Sequence, residues 1–362
     1  MDWNQIDWRT LERLRATFLH GRAGQDDYWR TESDLVSYDA TFAQRIGWKW
    51  DYVLAELARR GWSPPRGELL DWGCGSGIAG RAFFDHFGVE SVSSLRVWDR
   101  STLAVQFAAR RAREKYPGLP VDFGLADFLG SAETLERRFP LRHEADNTSQ
   151  PAVSETVVPP VTLLVSHVFN ELTSEQTEAL IRLIARSECV LWVEPGTYDA
   201  SRALIAIRER LRTQLNVIAP CTHQEPCGVL AAGNERHWCH HFASPPVEVF
   251  QDAHWSRFAN LLGIDLRDLA LSFLVLDRRP APQLPAGATR ILGHPRIYKP
   301  HALLLSCDQA GVRERKLTKR ALPSEYKYLK KGKNEPLQIM VGEGEEVVTL
   351  RRFSGLSKLF SP

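Results

Sequence analysis

Short apolar runs alternate with amphipathic segments along residues 66–220. The runs that predict strands are Glu68–Trp72, Ser94–Asp99, Val121–Leu125, Val161–His167 and Cys189–Glu194. The segments that predict helices lie near Gly80–Phe87, Thr102–Lys115, Ser131–Phe139, Ser174–Ser187 and Ser201–Leu215. Strands that alternate with helices are typical of a parallel sheet with crossover helices. The pattern therefore predicts a doubly wound, Rossmann-like α/β domain.

The segment before this core, residues 1–65, predicts a helical region. Trp3–Leu19 and Tyr38–Arg60 carry apolar residues at helical spacing, and Pro64 and Pro65 end the segment. Within the core, the polar, proline-bearing stretch 143–160 predicts a surface or disordered insertion.

Three further regions follow the core. Residues 221–262 are rich in cysteine and histidine. Residues 263–310 are expected to close the core sheet, because the apolar runs Leu269–Leu276 and Ala302–Cys307 suit an antiparallel hairpin at its edge. Residues 311–362 form a basic C-terminal extension in which Val347–Leu350 predicts one last strand.

Composition narrows the class of protein. The 362 residues are 43% hydrophobic and 25% charged, which is ordinary for a globular chain and excludes a collagen-like, coiled-coil or wholly disordered one. No apolar run approaches the roughly 20 residues that cross a bilayer, so we expect no membrane partner. The first residues carry acidic side chains where a secretory signal has basic and apolar ones. We therefore expect a cytoplasmic protein.

Positive charge is concentrated near the C-terminus. The net charge is +2, yet residues 311–333 hold nine basic and two acidic side chains. Such an excess favours a polyanionic partner, with RNA the leading candidate and DNA not expected, although a solvated basic tail would look the same. The candidate RNA-binding residues are Arg313, Arg315, Lys316, Lys319, Arg320, Lys330 and Lys331.

A glycine-rich loop follows the first predicted strand, in Leu-Asp-Trp-Gly-Cys-Gly-Ser-Gly at residues 70–77. Glycines at this place let the backbone approach a ligand at the start of the next helix. An acidic residue two places before the first glycine resembles the carboxylate of S-adenosylmethionine (SAM) dependent methyltransferases. A dinucleotide or an empty site remain alternatives. The predicted SAM-binding residues are Asp71, Gly73, Gly75, Gly77, Asp99 and Asp127.

The methyl acceptor stays open. After the fourth predicted strand the chain reads Ser-His-Val-Phe at residues 166–169, without the Asn/Asp-Pro-Pro-aromatic motif of amino methyltransferases or the Pro-Cys motif of cytosine-C5 enzymes. His167 and Glu171 are the candidates for a catalytic base. A histidine at a strand end and a glutamate at a helix start are also common as structural residues.

Four of the six cysteines predict a metal site. Cys74 and Cys189 fit packing positions, whereas the others lie in the Cys-rich segment and just after the last apolar run. Three cysteines at irregular spacing with one remote partner favour a [4Fe–4S] cluster over zinc, which more usually shows two short Cys pairs. Zinc with nearby histidines, or no metal, remain alternatives. The predicted ligands are Cys221, Cys227, Cys239 and Cys307.

Together these motifs resemble a known family. The glycine loop, Ser-His-Val-Phe-Asn-Glu-Leu at 166–172, Trp-Val-Glu-Pro-Gly-Thr at 192–197 and the Cys/His block at 219–242 are similar to Rsm-type methyltransferase-like proteins of small ribosomal subunit assembly. The resemblance implies a class I SAM-dependent methyltransferase fold with a [4Fe–4S] site on those four cysteines, acting on small-subunit rRNA. The alternatives are a non-catalytic RNA-binding assembly factor and a zinc-stabilised small-molecule methyltransferase.

Overall fold

The computed structural model of the chain describes residues 3–19, 28–123, 161–332 and 337–353. Three predicted features lie outside these residues: the helix Ser131–Phe139, the insertion 143–160 and the candidate cofactor residue Asp127.

The N-terminal region is helical, as predicted, but its second helix is divided. The helices are α1 (Trp8–Leu19), α2 (Glu32–Asp39) and α3 (Phe42–Arg59). The break falls at Thr41, whose backbone has φ −130° and ψ −83° and whose hydroxyl donates a 2.7 Å hydrogen bond to the carbonyl of Ser37. A threonine that bonds its own backbone competes with helical geometry, so one apolar pattern gives two helices.

An eight-stranded sheet forms the centre of the molecule. Its strands are β1 (Glu68–Trp72), β2 (Ser94–Trp98), β3 (Val121–Phe123), β4 (Thr162–Ser166), β5 (Cys189–Pro195), β6 (Asn216–Ala219), β7 (His241–Ala243) and β8 (Leu269–Asp277). The helices along this part are α4 (Ile78–Phe87), α5 (Thr102–Lys115), α6 (Ser174–Ile184), α7 (Tyr198–Leu211) and α8 (Ala253–Leu262). The predicted strands and helices of the described core are thereby confirmed to within a few residues.

The strand order is β3-β2-β1-β4-β5-β8-β6, with β7 paired to one end of β8. Strands β1 to β5 are parallel, and β8 runs antiparallel to both β5 and β6. Apolar clusters cover both faces of the sheet, which explains why its central strands are apolar at nearly every position. The order reverses between β1 and β4, and such a switch point opens a crevice at the carboxyl ends of the strands.

The expected hairpin of Leu269–Leu276 with Ala302–Cys307 is wrong. The first run is β8, buried within the sheet, whereas the second lies in a separate closed barrel. The barrel consists of β9 (Ala288–Ile297), β10 (His301–Asp308), β11 (Gly311–Thr318), β12 (Leu337–Glu343) and β13 (Glu346–Arg352), with helix α9 (Pro323–Lys330) after β11. Strand β9 was not predicted from the sequence. It pairs with β10, for which β8 was the expected partner.

The basic segment is therefore part of a folded barrel. Leu317, Tyr326, Leu329, Met340 and Leu350 pack in its interior. Buried positions alternate with more exposed ones over most of β10 and β11, although Ser306 and Cys307 are both buried. The exposed positions can therefore carry charged side chains without the loss of a core.

A buried ionic group joins the sheet to the barrel. The carboxylate of Glu56, on α3, accepts hydrogen bonds from Arg60 (2.9 Å) on its own helix and from Arg290 (2.9 Å) on β9. Burial alone would raise the pKa of Glu56, but the two guanidinium groups lower it to about 2. Both arginines also donate to the carbonyl of Pro220, each at 2.7 Å. The start of the Cys-rich segment is thereby fixed between the two units.

Candidate functional site

The glycine-rich loop turns sharply between β1 and α4. Gly75 has φ +52°, and a Cβ atom there would meet nothing within 4 Å, so its backbone faces open space. Gly77 has φ +78°, and a Cβ atom there would lie 2.9 Å from Cβ of Ala108 on α5. The first glycine thus leaves room for a ligand, whereas the second allows the helices to pack.

Two aspartates hold the loop in place. Oδ2 of Asp99, just after β2, accepts a 2.9 Å hydrogen bond from the Gly75 amide. Oδ2 of Asp71 accepts a 3.1 Å bond from the Gly80 amide, whereas its buried Oδ1 has no hydrogen-bond partner among the described residues. Burial raises the pKa of Asp71 to about 7.

A cavity of about 60 Å³ lies at this switch point. Gly73, Gly75 and Asp99 form one side, and Ser166, His167 and Glu171, after β4, form another. Tyr28, Trp29 and Tyr38 of the N-terminal region complete its lining. We call these three residues the aromatic cover. Tyr28 and Trp29 lie between the two predicted helices and Tyr38 fits the apolar spacing of the second, so none of the three was predicted as a site residue.

Glu171, which lines the cavity, has a pKa close to neutrality. Its Oε1 accepts a 3.1 Å hydrogen bond from the Tyr28 hydroxyl. Burial and the negative charge of Asp99 raise the pKa of Glu171 to about 7, although Arg100 and the Tyr28 hydrogen bond act in the opposite direction. A carboxyl group with a pKa near neutrality can take up or release a proton, which is what acid–base chemistry requires.

His167 already has a partner for each ring nitrogen. Nε2 lies 3.1 Å from Nζ of Lys49, and Nδ1 lies 3.3 Å from Oγ of Ser166. Burial and the positive charge of Lys49 hold the pKa of His167 well below its usual range. A neutral imidazole whose two ring nitrogens both have hydrogen-bond partners is typical of a positioning residue rather than of a base facing a substrate. The sequence signal for Lys49 is a charge on the mostly apolar face of α3, which Glu56 shares.

Some of the predicted cofactor residues therefore line the cavity, whereas others lie behind the glycine-rich loop. Gly73, Gly75 and Asp99 line the cavity. Asp71 and Gly77 support the loop from behind. Their contact with a cofactor stays a prediction, as does that of Asp127 outside the described residues.

The four predicted metal ligands gather at the junction of sheet and barrel. Cys221, Cys227 and Cys239 line a cavity of about 30 Å³, and Cys307, at the end of β10, belongs to the same buried apolar cluster as Cys227. Burial, and the electrostatic interaction with the other three cysteines, raise the pKa of the Cys239 thiol. All four are free thiols. The sequence spacing alone had left their common location uncertain.

Arg208 organises the loop that carries these cysteines. This buried side chain of α7 donates from Nε to Sγ of Cys221 at 3.2 Å and from Nη2 to the carbonyl of Glu225 at 2.8 Å. Ser201, two turns before Arg208 on the same helix, donates from its hydroxyl to the carbonyl of Cys239 at 2.9 Å. The loop is thus attached to α7 at both ends.

Two histidines lie beside the thiols. Nε2 of His241 is 3.6 Å from Sγ of Cys239, and Nε2 of His223 is 3.9 Å from Sγ of Cys307. Within the described ranges, however, no group of three or more His, Cys, Asp or Glu side chains is arranged to hold a metal ion. The [4Fe–4S] cluster and the zinc alternative both stay predictions.

The predicted RNA-binding residues do not form one patch. Arg313 and Arg315 both face Asp308, at 3.1 and 3.9 Å, and Arg315 is buried. Nζ of Lys316 lies 4.0 Å from the Glu346 carboxylate. The exposed residues are Lys316, Lys319, Arg320, Lys330 and Lys331, which extend from β11 to the end of α9.

The strand order and the glycine loop at the switch point define a protein of the class I methyltransferase fold. The antiparallel strand β8, placed between β5 and β6, distinguishes this fold from a dinucleotide-binding one. The family model described as mitochondrial small ribosomal subunit Rsm22 matches residues 130–334, more than half of the chain. The chain belongs to this family. The match includes all four predicted metal ligands but not the glycine loop.

Solved structures with some similarity are methyltransferases. Magnesium protoporphyrin IX methyltransferase from Synechocystis is 14% identical, with 75% of this chain and 100% of that chain covered and a TM-score of 0.36. A SAM-dependent methyltransferase from Aquifex aeolicus is 14% identical, with 52% and 89% covered and a TM-score of 0.34. At such scores the fold assignment rests on the strand order, not on these neighbours. No curated protein matches the chain.

Among the helices of the described part of the chain, none is both long and apolar enough to span a bilayer.

Proposed function

We propose that this chain is a SAM-binding, methyltransferase-like protein that acts on the rRNA of the small ribosomal subunit. The proposal of SAM binding is supported above all by the hydrogen bond from the Gly75 amide to Asp99 at the switch-point cavity. The ribosomal part rests on the family, whose description names the small subunit. The cytoplasmic location expected from the sequence stays a prediction.

The residues around the cavity suit SAM in kind. Asp99 would accept the ribose hydroxyls, the backbone at Gly73 and Gly75 would lie against the methionine part, and the unpartnered Oδ1 of Asp71 would attract its positive charge. When bound, SAM supplies an electrophilic methyl group. The cavity of about 60 Å³ is well below the roughly 300–1,000 Å³ of typical ligand pockets, so the aromatic cover must shift to admit it.

SAM binding has a direct test. Gly75→Val places a branched side chain in the open space above the loop, and we expect SAM affinity to fall at least tenfold in calorimetry. The control is Gly118→Val, since Gly118 also has positive φ and an unobstructed Cβ position, but lies far from the cavity. Equal affinities in the two variants would contradict the site.

Whether the protein transfers a methyl group requires a separate experiment. Radiolabelled SAM, anaerobically purified protein and small-subunit particles from a strain that lacks it should give labelled rRNA, and Asp99→Asn should abolish the label. Tight binding to the particles without any label would instead favour the non-catalytic assembly factor. Since both ring nitrogens of His167 are engaged, Glu171 is the candidate base that faces the cavity if transfer occurs.

We propose in addition that Cys221, Cys227, Cys239 and Cys307 hold a [4Fe–4S] cluster. Four free thiols share one buried junction, and each thiolate of such a cluster binds a different iron, so the sulfurs need not converge on one point. The cluster would link the sheet to the barrel and add its binding free energy to folding.

Metal analysis tests this site. Protein purified without oxygen should be brown and contain about four irons and four sulfides per chain. Cys239→Ser should lose them, whereas Cys189→Ser, whose buried thiol contacts Thr162, should retain them. A colourless protein that contains zinc would support the zinc alternative instead.

A further inference from the structure

The barrel has a specific topology. Strands β9 to β13 are strands one to five of the barrel in chain order. Around the barrel they lie in the order one-two-three-five-four, and strand four pairs with strand one to close it. Strands three and five, β11 and β13, are parallel, and every other pair is antiparallel. Helix α9 falls between strands three and four. This combination is the OB-fold, in which the face of strands two and three binds oligonucleotides.

The register of β10 with β11 shows which side chains occupy that face. Ala302 and Leu304 point into the barrel, opposite Leu317 and Arg315. Leu303 and Leu305 alternate with them and are only half-buried. Leu303 also pairs with Arg296 of β9, so that guanidinium belongs to the same outer face.

A groove of about 340 Å³ follows this face. Leu303, Leu305, His294 and Arg296 form its floor, and Arg236 and His240 of the Cys-rich segment form its other wall. We call it the barrel groove. Its walls carry flat rings: His240 stacks on Trp238 with centroids 4.4 Å apart, and His294 stacks on Phe242 at 3.9 Å. Half-exposed rings of this kind are platforms on which single-stranded bases stack.

Charge around the barrel groove suits a phosphate backbone on one side. Arg236 and Arg296 line the groove and are exposed, although Arg296 is paired with Glu314, which lines the groove as well. The turn between β9 and β10 adds Tyr298, which is 44% exposed and stacks on His301 at 4.9 Å. The opposite side, at residues 343–346, carries three glutamates. A polyanion would therefore follow β9 rather than β12 and β13.

We propose that the barrel groove binds a single-stranded segment of RNA. Its bases would stack on the rings of His240 and His294, and its phosphates would contact Arg236 and Arg296. The inference rests on the proposed RNA partner and identifies the surface that holds it. A duplex would not suit this groove, because its bases are already stacked and cannot reach half-buried rings.

The test uses the full chain, purified anaerobically, and a fluorescent single strand of about 12 nucleotides, within the range of OB-fold sites. Anisotropy should show binding to the single strand and about tenfold weaker binding to a matched duplex. His294→Ala should weaken binding to the single strand about five- to tenfold, since stacking contributes about 1–3 kcal/mol per base. Arg236→Glu with Arg296→Glu should lower the salt dependence, by about 1 to 1.5 in the slope of log K against log salt.

The rival surface is tested by Lys330→Glu with Lys331→Glu, because both lysines are among the predicted RNA-binding residues. This variant makes the same change of charge at the end of α9. Circular dichroism and iron content should be the same in all variants, so that a loss of binding reflects the surface.

The possible outcomes separate this inference from the proposed function. If the α9 variant loses RNA and the groove variants retain it, the groove is excluded while the RNA partner stands. If the wild-type chain binds neither the single strand nor small-subunit rRNA, the RNA partner itself fails. If the groove variants retain RNA but lose small-subunit particles, the groove contacts a protein, and the inference is wrong.

Discussion

Nζ of Lys49, a buried lysine, lies 3.1 Å from Nε2 of the half-buried His167. His167 has φ +56°, in the left-handed region that a non-glycine residue rarely adopts. The lysine therefore sits where it can hold a strained residue at the end of β4. This position lies directly beside the cavity at which we propose SAM binds.

The pair predicts a dependence of stability on pH. Burial, and then the charge of Arg45, lower the pKa of Lys49 to about 7, well below its value in an unfolded chain. The unfolded state therefore binds more protons between pH 7 and 10, and stability should rise with pH across that window. Lys49→Met should lose this rise, on the order of 3 kcal/mol between pH 7 and 10. Urea unfolding at both values measures it, and parallel curves for the two proteins would contradict the assignment.

Glu171 predicts a pH dependence of SAM affinity. Its pKa of about 7 in the free protein should fall when the positively charged cofactor binds, so binding releases a proton. SAM affinity should then rise as pH increases from 6 to 8 and level off above. Calorimetry in buffers of different ionisation enthalpy measures the proton directly. Glu171→Gln should flatten the profile, and an unchanged profile would assign the proton to another group, such as Asp71.

The ionic group between sheet and barrel predicts a large loss of stability on neutralisation. Glu56→Gln leaves Arg60 and Arg290 buried without a carboxylate, which should cost roughly 3–5 kcal/mol of unfolding free energy. The control is Glu178→Gln, which breaks the pair with Arg210 at 2.5 Å, where both side chains are half-exposed. That change should leave the free energy of unfolding nearly unchanged, because solvent screens a surface ion pair. Similar losses in the two variants would mean that the buried group does not join the two units.

Gly228 predicts a steric link between the Cys-rich segment and the barrel. A Cβ atom at this position would lie 2.6 Å from the backbone nitrogen of Val312, at the turn of the β10–β11 hairpin. Gly228→Ala should push Cys227 away from Cys307 and reduce iron incorporation at least twofold. Ala232→Val, an exposed change in the same segment, should leave the iron content unchanged. Full iron loading of the Gly228 variant would show that the close approach is dispensable.

The sequence predicted the parallel core well because its strands are buried on both faces. Runs such as Glu68–Trp72 and Cys189–Glu194 are mostly apolar, with their acidic residues at or near the strand ends, and carry glycines or helices beside them. The position of Asp99 at a strand end followed from the same pattern. These features depend on local sequence alone.

The barrel was harder to predict because strands such as β10 and β11 are buried mainly at alternate positions. In β9, Arg290 lies beside Ile291, and its buried charge is satisfied by Glu56, which no local pattern reveals. The place of the aromatic cover at the cavity has no local signal either. Tyr28 contacts the site through Glu171, a residue 143 positions later in the chain.

The bond between Glu56 and Arg290 spans 234 positions of sequence. At the usual rate of about 5–20 residues per second, a ribosome needs roughly 10–50 s to reach the arginine after the glutamate. During that interval Arg60, four residues away on α3, is already available as a counter-ion. The sheet can therefore begin to fold while the chain is still being made, and the barrel can attach to it only after Arg290 has been synthesised.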